Sequence, residues 1–74
     1  MKVFVFSAER MCFGREVIAV TNTEPTTEQM WELLESNLRE RSRIDPSFAD
    51  FELLLDQYAA SDFVVQEMEV RSIV

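Results

Sequence analysis

The chain has 74 residues, a net charge of −7, one cysteine and no histidine. Without histidine it cannot form a Ser-His-Asp or Cys-His catalytic relay, or a zinc site that combines cysteine with histidine. A single cysteine excludes an internal disulfide framework, which fits a reducing, cytoplasmic location. We therefore expect one small domain, residues 1–74, that is not an enzyme and that uses no metal or cofactor.

The beginning of the sequence predicts a β-hairpin. Residues 2–8 (KVFVFSA) and 11–21 (MCFGREVIAVT) are rich in β-branched and aromatic residues, and the polar segment 7–10 (SAER) separates them. We place the bend at SAER and interpret Gly14 as a bulge or close-approach position. The first apolar run is too short for a signal peptide, so we expect no membrane association. Alternation assigns the second strand to two faces, Ile18 with Val20 and Val17 with Ala19.

Residues 27–41 have the pattern of an amphipathic helix. Thr26 is a suitable N-cap, and Gln29 stands where it completes a capping box. Acidic residues lie in the first half of the segment and arginines at its end, which matches the helix dipole. Apolar residues recur at spacings of three and four, namely Met30, Leu33, Leu34 and Leu38, with Trp31 at the edge.

Residues 51–57 (FELLLDQ) fit two structures. We prefer a strand, because seven residues is a typical strand length and a short polar turn follows. The strand would have one face formed by Phe51, Leu53 and Leu55. The alternative is a helix with Asp45 as its cap and Pro46 in its first turn. Its apolar face would consist of Phe48, Phe51, Leu55 and Tyr58.

Residues 63–74 alternate between an apolar face and a charged face, which is typical of a sheet strand. The fold class that follows is α+β, a two-layer sandwich in which the main helix packs on one face of a small antiparallel sheet. The order of elements is ββαββ if residues 51–57 form a strand, and ββααβ if they form a helix.

The first strand is apolar on both of its faces, with Val3 and Val5 on one side and Phe4 and Phe6 on the other. One helix layer covers only one side of a sheet, and exposed apolar side chains forfeit the free energy of burial. So short a chain has little sequence left to cover the second side. We therefore expect a homodimer or a partner there, and we assign Phe4 and Phe6 to this oligomer face.

The negative charge is concentrated in residues 44–74, which contain seven acidic residues and only one basic residue, Arg71. A one-sided acidic surface attracts proteins with a basic surface and can imitate the phosphates of a nucleic acid. The net charge opposes direct binding to nucleic acid. We predict that a partner-binding acidic face is formed by Glu52, Asp56, Glu67 and Glu69.

Cys12 lies between Arg10 and Arg15, a setting in which a thiol can be activated. The chain has no histidine to act as a base, and free cysteines are commonly buried, so we favour a structural thiol. Gly14 and Arg15 form no phosphate-binding loop, because such a loop needs several backbone amides at a helix start. Arg10 and Arg15 remain candidate contacts between the hairpin and a partner.

Three hypotheses follow for the function. The first is a small acidic interaction module, such as an accessory regulator or inhibitor of a nucleic-acid-handling protein of the kind that phages and mobile elements carry. The second is a structural subunit that forms a homo-oligomer. The third is a small ligand-binding protein or enzyme that uses Cys12.

Overall fold

The computed structural model describes residues 1–45 and 51–71 and shows a small α+β domain, as predicted. Its elements are strands β1 (Lys2–Arg10) and β2 (Gly14–Thr21), helices α1 (Thr27–Ile44) and α2 (Phe51–Leu55), a short 3₁₀ helix (Ala60–Asp62) and strand β3 (Val64–Glu69). The strands form an antiparallel sheet in the order β2-β1-β3. The order of elements is therefore ββααβ, and the preferred order ββαββ is wrong.

Helix α2 occupies the segment that we expected to be a strand. The backbone N–H of Asp56 donates to the carbonyl of Glu52 at 3.1 Å, which is a helical hydrogen bond. Leu54 is buried at 5% exposure, whereas Leu53 is 62% exposed. A strand with Leu53 on its inner face would reverse this pattern. Positions 46 and 48 of the helical alternative lie outside the described residues.

Helix α1 begins where the sequence predicts and continues three residues further. Thr26 Oγ1 accepts a hydrogen bond from the Gln29 N–H at 3.2 Å, and Gln29 Oε1 accepts one from the Thr26 N–H at 2.9 Å. This is the expected capping box, which satisfies two backbone donors at the start of the helix. At the other end, the Asp45 N–H donates to the Arg41 carbonyl at 2.9 Å, so Asp45 closes α1.

The hairpin turns at residues 11–13, because residues 7–10 continue β1. The Phe13 N–H donates to the Arg10 carbonyl at 3.0 Å and closes the turn. Cys12 has a φ of 69° and Gly14 a φ of 90°, both in the left-handed region that glycine adopts easily. Placing the bend at SAER was therefore wrong, and Gly14 serves the turn at the start of β2.

A β-bulge lies further along β2, at Ile18. The register pairs Phe6 with Ala19 and Ser7 with Val17. Ile18 is the extra residue, and its side chain is buried in the core. Because the bulge shifts the alternation, Val17 and Val20 lie on the same side of the sheet, opposite to Ala19. The predicted grouping of Ile18 with Val20, and of Val17 with Ala19, is therefore wrong.

The core lies between α1 and one side of the sheet, which we call the helix face. Phe63 packs edge to face against both Phe6 and Trp31, with ring centroids 5.1 Å and 4.8 Å apart. Asn37 Nδ2 of α1 donates to the Ile18 carbonyl at 3.4 Å and ties the helix to the bulge. The buried hydrophobic residues of the described chain are Phe6, Ala8, Ile18, Leu34, Leu38, Leu54 and Tyr58.

Candidate interaction surface

The side of the sheet opposite α1, which we call the open face, carries a continuous set of apolar side chains. The antiparallel registers place Val5 between Val20 and Gln66, and Val3 beside Met68. Alternation along each strand then determines the complete set. The apolar residues of the open face are Val3, Val5, Val17, Val20, Val64 and Met68.

Four of these side chains are exposed, and the two on β2 are the most accessible. Val17 is 62% exposed and Val20 is 58% exposed, whereas Val3 and Val5 of the central strand are half-buried by their neighbours. Single exposed apolar residues are ordinary, whereas a contiguous exposed apolar group is a candidate interaction surface.

A polar strip closes the open face at its hairpin end. Arg15 Nη1 donates to Ser7 Oγ and to the carbonyl of Asp62, each at 3.3 Å. The guanidinium therefore crosses β1 and covers Ser7, which is buried for this reason. Its Nη2 lies 3.7 Å from the carboxylate of Glu9. Arg15, one of the predicted hairpin contacts, thus forms the edge of the apolar surface.

The assigned oligomer face needs a correction. Phe6 is fully buried beneath α1, and Phe4 lies half-buried on the same side of β1. The larger aromatic side chains fill the core because they bury the most apolar area. Among the described residues, no helix covers the other side of β1, with Val3 and Val5. The expectation of an uncovered second side is met, but by different residues.

Strand β3 also turns apolar side chains toward the open face. Its open side carries Val64, Gln66 and Met68, whereas the helix face carries Val65 next to Phe6 and then Glu67 and Glu69. A strand with one apolar and one charged side normally turns its apolar side to the core. Beyond Val65, the alternation of β3 is therefore inverted relative to this rule.

The predicted acidic face is divided between two ends of the molecule. Glu67 pairs opposite Phe4, near the start of β1, whereas Asp56 adjoins Gln57, whose carbonyl accepts a hydrogen bond from the Met11 N–H. Seven residues of extended strand separate these positions, a distance of about 20 Å. Glu52 precedes Asp56 by one helical turn and belongs to the same end.

The two glutamates of β3 also have cationic partners. Lys2 Nζ lies 3.1 Å from Glu67 Oε1, and the N-terminal ammonium lies 3.2 Å from Glu69 Oε1. Exposed ion pairs of this kind contribute little to stability, but they neutralise the local charge. Four carboxylates that the sequence groups together therefore do not form one acidic surface.

Arg10 lies on the side of the hairpin opposite to Arg15. Its guanidinium stacks over the Phe13 ring, 3.9 Å from the centroid, and its Nε donates to Gln57 Oε1. The neighbouring Met11 N–H donates to the Gln57 carbonyl at 3.0 Å. Arg10 therefore holds the segment after α2 against the hairpin, a structural task that sequence reasoning missed.

Cys12 is exposed at the tip of the hairpin. It opens onto a groove of about 360 Å³ that three carboxylates help to line, those of Glu9, Asp56 and Asp62. A nucleophilic thiol is favoured by nearby cations, and the described residues that line this groove include no lysine or arginine. Within the described residues, no cluster of carboxylates and thiol is able to hold a metal ion.

A polar cluster joins the hairpin to the helices. Arg41 of α1 forms an ion pair with Glu16 of β2, and both side chains are partly buried. The Tyr58 hydroxyl donates to Glu16 Oε1 at 3.4 Å. Burial raises the pKa of the Tyr58 phenol, and the negative charge of Glu16 raises it further. These three residues hold the layers together and leave no open site between them.

Residues 1–45 and 51–71 contain no helix that is long and apolar enough to cross a membrane. No protein family model, no curated protein and no solved structure matches the chain.

Proposed function

We propose that the protein is a non-catalytic interaction module that binds another protein surface through the open face of its sheet. The observation that carries this proposal is the inverted alternation of β3 together with the exposed valines of β2. Burying the exposed parts of Val17 and Val20 alone would contribute roughly 2–3 kcal/mol. A monomer does not gain this free energy, because both side chains stay in contact with water.

The geometry gives less support to an acidic regulator with a basic partner and to a site at Cys12. A regulator with a basic partner needs a concentrated acidic surface, but Glu67 and Glu69 are paired and stand apart from Glu52 and Asp56. A site at Cys12 needs an activating neighbour, and the groove beside it is acidic. The open face requires no such additional group, because an apolar contact depends on area and fit alone.

Site-specific photo-cross-linking in the native cells tests the proposal. A photoreactive amino acid replaces Val20 on the open face or, as the control, Ser36 on the exposed side of α1. We expect position 20 to give defined protein adducts, identified by mass spectrometry, and position 36 to give none of them. Adding Val17→Lys should abolish the adducts at position 20. Equal labelling at both positions, or none at position 20, would contradict the proposal.

A further inference from the structure

We infer that the open face binds the same face of a second copy of this chain, so that the protein is a symmetric homodimer. This inference rests on the proposed function and names the partner. Two three-stranded sheets would then pack face to face, with one helix layer on each outer side.

The distribution of charge is the first reason. The chain has a net charge of −7, so two copies repel each other over most of their surface. Within the three strands, the only charged residues on the open face are Glu9 and Arg15, and they pair with each other at 3.7 Å. The open face is therefore neutral. A second copy can approach there without placing like charges in contact, and a strongly basic partner finds no charge to bind.

The size of the core is the second reason. The described residues bury seven hydrophobic side chains, which is a small core for an independently stable domain. A copy that covers the open face would turn the half-buried Val3 and Val5 of the central strand into core residues. Binding to the folded state then adds to the stability of the fold, and this gain increases with protein concentration.

The area of the open face determines how tightly we expect the two copies to bind. Three strands at a spacing of about 4.8 Å and a rise of about 3.3 Å per residue give the apolar part a flat area of about 300 Å². Stable interfaces bury about 800 Å² on each partner, so the valines form only the centre of the contact. Arg15 and Gln66 would belong to its polar rim. Because this apolar area is below the standard size, we expect a weak dimer.

Analytical ultracentrifugation of the full chain over a series of concentrations tests this inference. We expect the mass to rise from one chain to two, and we expect added salt to tighten the dimer because it screens the repulsion between copies. Val17→Lys should raise the dissociation constant on the order of 30-fold or more, because a symmetric interface loses the contact twice. Ile44→Lys, at an even more exposed apolar residue on α1, should leave the dissociation constant unchanged.

A more conservative variant distinguishes a lost dimer contact from unfolding of the chain. Val17→Thr keeps the shape and strand propensity of valine, and it should weaken the dimer several-fold with an unchanged circular dichroism spectrum. A chain that stays monomeric at all concentrations, or a dimer that Val17→Lys and Val17→Thr leave intact, would overturn the inference. If position 20 still cross-links to a different protein, the proposed function stands and only the identity of the partner is wrong. If position 20 gives no adduct at all, both fail.

Discussion

The Tyr58 hydroxyl lies 3.4 Å from Oε1 of Glu16, and this contact joins two segments that stand 42 positions apart in the chain. The same carboxylate binds Arg41 at the end of α1. Glu16 therefore connects β2, the main helix and the segment after α2. Together with the Arg10–Gln57 hydrogen bond and the burial of Leu54, this contact holds α2 in place, because a helix of five residues cannot form alone.

The position of Tyr58 predicts a loss of stability at alkaline pH. Burial and the charge of Glu16 raise its pKa above the ordinary 10.0. Above pH 10 the unfolded chain loses the phenol proton first, while the folded chain retains it. The folded state then binds more protons, so the free energy of unfolding falls as the pH rises through the folded-state pKa. The stabilisation that comes from the raised pKa of Tyr58 is therefore fully present below pH 10. Urea unfolding between about pH 9 and pH 11 measures the decrease.

A second measurement isolates the phenol. Tyr58 is the only tyrosine, so the ultraviolet absorbance of tyrosinate reports its titration directly. We expect the pKa to be higher in the folded chain than in urea. Tyr58→Phe should remove this part of the pH dependence. A folded-state titration at the ordinary pKa would refute the burial of the phenol against Glu16.

Removal of the α1 cap should destabilise the protein. Thr26→Ala deletes the acceptor for the Gln29 N–H and should lower the free energy of unfolding by about 1 kcal/mol. Thr27→Ala is the matched control, because Thr27 is exposed and occupies the first helical position. That variant should change stability by a few tenths of a kcal/mol at most. Circular dichroism during urea titration distinguishes the two, and equal losses would show that the capping box is not a stabilising contact.

We expect Gly14→Ala to lower the stability of the protein and Cys12→Gly to leave it unchanged. Gly14 has a φ of 90°, and a Cβ atom at this position would meet no atom within 4 Å. Any cost of Gly14→Ala therefore comes from the backbone, and we expect about 1 kcal/mol in thermal or urea unfolding. Cys12→Gly, at a φ of 69°, should cause no loss because it relieves a similar strain. A neutral Gly14→Ala would refute the left-handed turn.

The two leucines Leu38 and Leu53 should respond very differently to truncation. Leu38 is fully buried beneath the sheet, so Leu38→Ala should cost 2 kcal/mol or more, which is roughly half of what a core of this size supplies. Leu53 is largely exposed, and Leu53→Ala should stay within about 0.5 kcal/mol. Thermal unfolding provides the comparison. Similar losses would mean that the α2 segment packs with the opposite side inward, as a strand would.

Local signals predicted the local structure well. Thr26 and Gln29 identified the start of α1, and two β-rich runs identified the hairpin. The prediction failed at α2, because five residues are too few to show a helical period and three consecutive leucines fit either structure. It also placed the turn too early, since polar residues such as Glu9 can end a strand or continue it with their side chains in water.

The candidate surface was predicted only in outline. The apolar character of both sides of β1 indicated an uncovered face, but not which side α1 would cover. That choice depends on long-range packing, in which Phe6 meets Phe63 across 57 positions of sequence. The bulge at Ile18 added a second error, because no sequence signal marked it and it changed the side on which Val17 lies.

The same bulge has a consequence for variation in chain length. Deleting one residue from a regular strand turns every side chain beyond it to the other side. At position 18 a deletion would instead leave Ala19 opposite Phe6 and Val17 opposite Ser7, as they already stand. The loss would be one buried side chain and not the pairing of the strands. The hairpin therefore contains a position where the chain can shorten by one residue without changing which of its side chains face water.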